Sequence, residues 1–176
     1  MTADPFDRVV APGFDDPLGM LRACHRRIER QLASLERLRR HLPEHHADAD
    51  ARSVARNILR YFDTAAHNHH RDEEESLFPA LVAAAPELGQ VTKSLQRDHA
   101  RLDARWFKLR PLLGAIVAGS GAYLPIMGVQ EFCAAYAAHI AREETDVLPV
   151  AAELLATGTL AAIGRAMEAR RVAMAD

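Results

Sequence analysis

Apolar positions recur at intervals of three and four along most of this chain, the period of helices that bury one face. The first stripe, Leu18, Leu21, His25, Ile28, Leu32 and Leu35, predicts a helix over about 17–41. Asp15 and Asp16 before Pro17 make a good N-cap and first turn, and Pro43 is expected to stop the helix ahead of a polar loop. A second helix is predicted over about 50–78, with Leu59, Phe62, Ala66, His69 and Glu73 in line and Pro79 ending or kinking it. After Pro86 and Gly89 a third stripe, Leu95, His99, Leu102, Trp106 and Leu109, predicts a helix over about 91–113. Beyond the loop at AGSGA, Phe132, Tyr136, His139, Glu143 and Val147 predict a fourth over about 123–148. A short last helix, rich in Ala and Arg, is predicted over about 159–172.

Four long helices with short connections predict an all-α fold, an up-down-up-down antiparallel four-helix bundle with a short C-terminal helix. Residues 1–16 are expected to form an N-terminal arm, 17–156 the bundle, and 157–176 the short helix packed on it. With 176 residues, 49% of them hydrophobic and few aromatic, the chain suits one domain of packed helices. A net charge of −2 and no basic stripe give no reason to expect nucleic acid. The apolar runs are too short to span a membrane, and the acid- and proline-bearing start does not read as a signal peptide. Two distant cysteines, Cys24 and Cys133, suggest neither a thiolate metal site nor a disulfide framework, so a reducing, cytoplasmic setting is the default.

The chemistry lies in a repeat. HHRDEEESLFP and HIAREETDVLP carry the same His-x-x-x-Glu and the same proline, 70 positions apart from His69 to His139 and from Glu73 to Glu143. A lone histidine precedes each copy, His25 and His99, on the helix before it. Residues four apart on a helix point the same way, so each His–Glu pair faces inward with its stripe. One histidine on an apolar face is commonly a satisfied core residue, and one His-x-x-x-Glu an exposed pair. Here every long helix places a histidine on its stripe, and a buried carboxylate is costly unless paired or metal-bound. His25, His69, Glu73, His99, His139 and Glu143 thus form a candidate ligand set for a carboxylate-bridged dinuclear site. Glu73 and Glu143 would bridge, because a carboxylate can bind two cations and an imidazole normally one. Imidazole and carboxylate without thiolate suit iron, manganese or zinc.

His70 and Glu74 repeat the motif in a shifted, less apolar register. With His67 they read as flanking residues, a role in hydrogen-bonding the ligands being the lesser reading. His41, His45 and His46 read as solvated helix-end and loop residues. Tyr136 and Trp106 read as core, with a Tyr136 hydrogen bond to the centre as the lesser reading. Without metal, the two carboxylates are expected to repel one another or take up protons, with raised pKa values. The metal-free fold should then melt below the metal-bound one, most of all above neutral pH.

At His25, HHRDEEESLFP, His99 and HIAREETDVLP the chain resembles the hemerythrin-like family of HHE cation-binding domains, over about 17–155. The resemblance implies a four-helix bundle with two iron ions, an oxo- or hydroxo-bridged di-iron centre held by the same six residues. The oxygen-carrying members have a histidine four residues after the third-helix ligand, where this chain has Asp103, and close on His-x-x-x-x-Asp rather than His-x-x-x-Glu. The four-His, two-Glu set is similar to the branch that handles nitric oxide or repairs iron–sulfur centres. The implied function is a non-haem di-iron protein that binds or reacts with O₂, NO or peroxide in sensing or stress defence. The alternatives are an iron storage, delivery or iron–sulfur repair module, and a metal-stapled regulatory interaction domain.

Overall fold

The computed structural model describes residues 12–172, and among these the chain is all-helical, with five helices and no strand. Most of the expected N-terminal arm lies outside the described residues. Helix α1 is Pro17–His45, α2 spans 49–84, α3 is Gly89–Ala118, α4 spans 126–154, and α5 is Thr157–Val172. Each of the four long helices packs on the next in sequence, and α4 packs back on α1, closing the ring.

Local chemistry sets most of the helix starts. Asp16 accepts a hydrogen bond from the Gly19 amide at 2.9 Å, with Pro17 in the first turn, as the sequence predicted. Asp48 does the same for α2, accepting from the Ala51 amide at 2.7 Å. Gly119 ends α3 in the left-handed region, with φ of 73°. α4 starts at Ile126 rather than 123 because Pro125, itself extended, forms the cap and disfavours helix at the residue before it.

The helix ends correct the expectation that Pro43 stops its helix, and of the two readings for Pro79, ending or kinking the second helix, they rule out the end. Pro43 lies inside α1, in its last turn, where it forfeits one backbone bond and the His46 amide still returns to the Leu42 carbonyl. α2 runs past Pro79 to Ala84, and α4 past Pro149 to Leu154. In both, a wide π turn comes first, Glu73–Leu77 and Glu143–Val147. A proline ring presses on the carbonyl four residues back, and the widened turn moves that carbonyl aside. Each π turn also opens on the glutamate of the repeated motif. A third, Tyr61–Ala66, has no proline to account for it.

The apolar core falls into two clusters. One holds Ile28 to Leu42 of α1 with Phe62, Trp106, Phe132 and Tyr136; the other holds Leu18 and Leu21 with Phe78, Leu95, Leu148 and Met167. Along every long helix the chain crosses from one cluster to the other through a histidine: Leu21–His25–Ile28, Ala66–His69–Leu77, Leu95–His99–Leu102, Tyr136–His139–Val147. A polar layer therefore lies between two apolar ones.

Helix α5 packs on α1 and α2. Its Arg170 and Arg171 donate to Asp72 at 2.8 and 2.7 Å, and the Asp72 side chain is fully buried. Gly164 lets the Phe14 carbonyl approach, since a Cβ there would lie 1.8 Å from that oxygen. Removing one partner of a buried charge pair leaves the other uncompensated. Asp72→Ala is expected to lower the stability of the metal-free protein by about 3 kcal/mol, read by thermal unfolding, with helical content retained.

Candidate metal centre

All six histidines and glutamates singled out by the repeat meet in the polar layer, and none is more than 2% exposed. They form two overlapping groups, His25 with His69 and His99 with His139, and both groups contain Glu73 and Glu143. Within each group the candidate ligand atoms lie within 4.8 Å of one another.

The carboxylates divide their oxygens between the groups. Glu73 turns Oε1 to His69 (3.5 Å) and His25 (3.9 Å), and Oε2 to His99 (3.4 Å). Glu143 turns Oε2 to His25 (3.2 Å), and Oε1 to His139 (3.0 Å) and His99 (3.7 Å). The Nε2 atoms of His99 and His139 face each other at 2.9 Å. Neighbouring ligands held about 2.1 Å from one metal stand about 3 Å apart, so these are the separations of donors around a cation.

The donor atoms lack other partners. Both oxygens of Glu73 and of Glu143, both nitrogens of His69, His25 Nε2 and His139 Nδ1 are buried without a hydrogen-bond partner in the described protein. Buried polar groups are ordinarily satisfied, and a buried charge is paired or coordinates metal. By this test the residues fit cations. Cys24 and Cys133 are free thiols and belong to no such cluster.

The glutamate after each motif glutamate braces the histidine of the other copy. His25 Nδ1–H donates to Glu144 Oε1 at 2.9 Å, and His99 Nδ1–H donates to Glu74 Oε1 at 2.6 Å. Each bond fixes the tautomer and leaves Nε2 facing the centre. Arg26 holds Glu144 in turn, donating to both its oxygens at 2.8 Å. Glu74, expected to flank the site, thus touches His99, and Glu144 was missed altogether. The signal was present, since Glu follows the motif Glu in both copies. His70, also expected to flank, is buried with its ring stacked on His99, centroids 4.0 Å apart. Its Nε2 lies 3.4 Å from the hydroxyl of Tyr136, which is buried as expected. Trp106 is core, with its indole N–H donating to Asp63 at 2.9 Å. His67 is exposed. His41 and His45 stack at the far end of α1, where His41 lies 2.9 Å from Asp48 Oδ2.

The metal-free electrostatics correct the expected protonation. Burial pulls the His25 and His99 imidazoles down, but the close carboxylates of Glu143 and Glu73 outweigh it and carry both up to about 10. Burial and the neighbouring carboxylate push Glu73 up, yet the surrounding histidines leave it below the ordinary carboxylate range, and Glu143 lies well below. Without metal, therefore, the carboxylates stay ionised and the protons reside on His25 and His99. Burial holds His69 down and His70 well down.

The fold and this site define a helical cation-binding protein. The chain belongs to the hemerythrin HHE cation-binding domain family, whose sequence model matches residues 16–151. An uncharacterized protein of Haemophilus influenzae is 31% identical over 158 residues, covering 90% of this chain and 91% of that one.

Two predictions follow from the braces and the protons. Glu74→Ala and Glu144→Ala should each weaken metal affinity about 10- to 100-fold with the fold intact, measured by chelator competition. His25 and His99 hold protons that the unfolded chain releases near pH 6.5, so their stabilisation of the metal-free fold is complete below that pH and drains away toward pH 10. The lowered carboxylates stabilise above their ordinary pKa of 4.5 and lose that contribution in acid. The metal-free melting temperature should therefore fall from about pH 6.5 to 9, and the gain on adding metal should widen over the same range, because metal displaces these protons.

Proposed function

We propose that this chain is a non-haem di-iron protein in which Glu73 and Glu143 bridge two irons, His25 and His69 binding one and His99 and His139 the other. The observation that carries this reading is the division of each carboxylate's oxygens between the two histidine pairs. The imidazole and carboxylate donors suit iron as they suit zinc or manganese, and the family favours iron among them. The repeated residues fall in the first half of α1 and of α3 and from the middle onward in α2 and α4, which supports an up-down-up-down order.

When bound, the iron pair supplies redox equivalents and open coordination positions for a small ligand, O₂, NO or peroxide. The protein's part is to hold the donors and keep the site dry. Glu144 and Glu74 fix the tautomers of His25 and His99. Phe78 on one side and Phe62, Phe132 and Tyr136 on the other close the polar layer against water. Burial of all six donors favours a resident cofactor over iron held as cargo, which has to enter and leave. Sensing or stress defence is the role this chemistry suits, and the two free thiols fit a reducing cytoplasm. No helix among the described residues is long and apolar enough to cross a membrane.

Protein expressed in iron-replete cells and purified without added metal or a histidine tag should carry two irons per chain by elemental analysis. Glu73→Ala and Glu143→Ala should each lose both, since a bridge touches both metals, whereas a single His→Ala change should retain more. One metal per chain, zinc alone, or two irons kept by either Glu variant would contradict the bridged assignment.

A further inference from the structure

The chain has one Trp, three Tyr and six Phe, and four of these rings stand in one file. Trp106 packs on Phe62 and Phe132, with centroids 4.9 and 5.9 Å away. Tyr136 packs on the same two rings at 5.7 and 5.1 Å. From Tyr136 the file continues to His70 at 5.9 Å, and from His70 to His99 at 4.0 Å. Rings thus stand in contact from the metal layer to Trp106, which lines a surface groove between α2 and α3 together with Asp63 and the exposed Phe107. On the other side of the layer the buried cluster holds one aromatic ring, Phe78. The two oxidisable rings of the file each face a base. The Trp106 indole N–H donates to Asp63 at 2.9 Å, and the Tyr136 hydroxyl lies 3.4 Å from His70 Nε2. An oxidised phenol or indole is a strong acid, so the electron leaves readily only where the proton has somewhere to go. Phe would pack at either position with no polar atom to satisfy.

We propose that Tyr136 and Trp106 form an electron relay between the metal centre and the α2–α3 groove, giving electrons to a peroxide reduced at the centre and recovering them from a small phenolic reductant in the groove. This inference rests on the di-iron reading. Reducing hydrogen peroxide to two waters consumes two electrons and two protons. An electron the irons do not supply leaves Tyr136 through the His70 and His99 rings, and the phenol proton passes to His70 Nε2. Trp106 then reduces Tyr136 across Phe62 and Phe132, which are not themselves oxidised. The phenol regains its proton from His70, and the indole proton shifts to Asp63. The phenolic reductant, resting on Phe107, reduces Trp106, whose proton returns from Asp63. That reductant becomes a phenoxyl radical and releases its own proton to water, from which peroxide reduction draws its protons. Two passes complete one turnover and consume two molecules of the reductant.

The test has a metal-free arm and an iron-loaded arm, both on the full chain. Azide radicals made by pulse radiolysis oxidise tryptophan in preference to tyrosine, and Trp106 is the chain's only tryptophan. In metal-free wild type the tryptophanyl radical should decay as a tyrosyl radical appears, at a rate independent of protein concentration. Tyr136→Phe should abolish this transfer, while Tyr61→Phe and Tyr123→Phe keep it. No transfer in wild type, or transfer kept by Tyr136→Phe, overturns the inference and leaves the di-iron reading standing. In the second arm, iron-loaded protein is mixed with hydrogen peroxide and freeze-quenched for electron paramagnetic resonance. Wild type should show a tyrosyl radical that Tyr136→Phe lacks and that added hydroquinone removes. In Trp106→Phe, helical by circular dichroism, the radical should outlive that of wild type and resist hydroquinone. No tyrosyl radical in wild type, the same radical in Tyr136→Phe, or equal quenching in Trp106→Phe overturns the relay with two irons still bound. Wild type that fails to load two irons overturns the di-iron reading, and the relay's role falls with it.

Discussion

Two glutamates lie side by side in the middle of a helical core, and the rest of the structure answers to that fact. An isolated buried carboxylate is among the costliest groups a fold can carry, and two that share a site repel one another as well. Glu73 and Glu143 are tolerated because four imidazoles surround them. Without metal, two of those imidazoles, His25 and His99, take protons and neutralise the pair. The same lone pairs and carboxylate oxygens present themselves to cations once the protons leave. On the proposed reading metal and protons compete for one cage, and its occupancy would depend on pH.

The cage is held from outside itself. The repeat crosses over: the second copy's Glu144 braces the first copy's His25, and the first copy's Glu74 braces His99. The π turns that begin at Glu73 and Glu143 let the helices continue past Pro79 and Pro149, so each motif is supported by helix on both sides. Just before Glu73, the buried Asp72 is gripped by Arg170 and Arg171, tying α5 to the helix that carries His69 and Glu73 of the cage. Apolar clusters above and below fix the level of the layer along the helix axes.

Most of the site was legible in the sequence because it obeys the helical period. His69 with Glu73 and His139 with Glu143 are one turn apart, and the prolines that follow each at equal distance fixed the register. What the sequence did not give up depends on neighbouring helices. Glu74, Glu144 and His70 stand one residue off the main stripe, where a helix wheel predicts solvent. Close packing of a second helix turns that edge inward, so these residues reach His99 and His25 instead. The Asp72 clamp joins residues nearly a hundred apart, which no local pattern encodes. The helix ends were misjudged because the proline rule assumes a regular helix, and a π turn changes the carbonyl the ring meets. The raised carboxylate pKa values were wrong for a related reason: the histidines closest to the carboxylates outweigh both burial and mutual repulsion.

The central claim is that Glu73 and Glu143 each bind two metals. A crystal of the iron-loaded protein, with anomalous scattering recorded at the iron edge, tests it most directly. The account predicts two peaks about 3.5–4 Å apart between the two carboxylates, one beside His25 and His69 and the other beside His99 and His139. A single peak, or two peaks that do not share both glutamates, would contradict it.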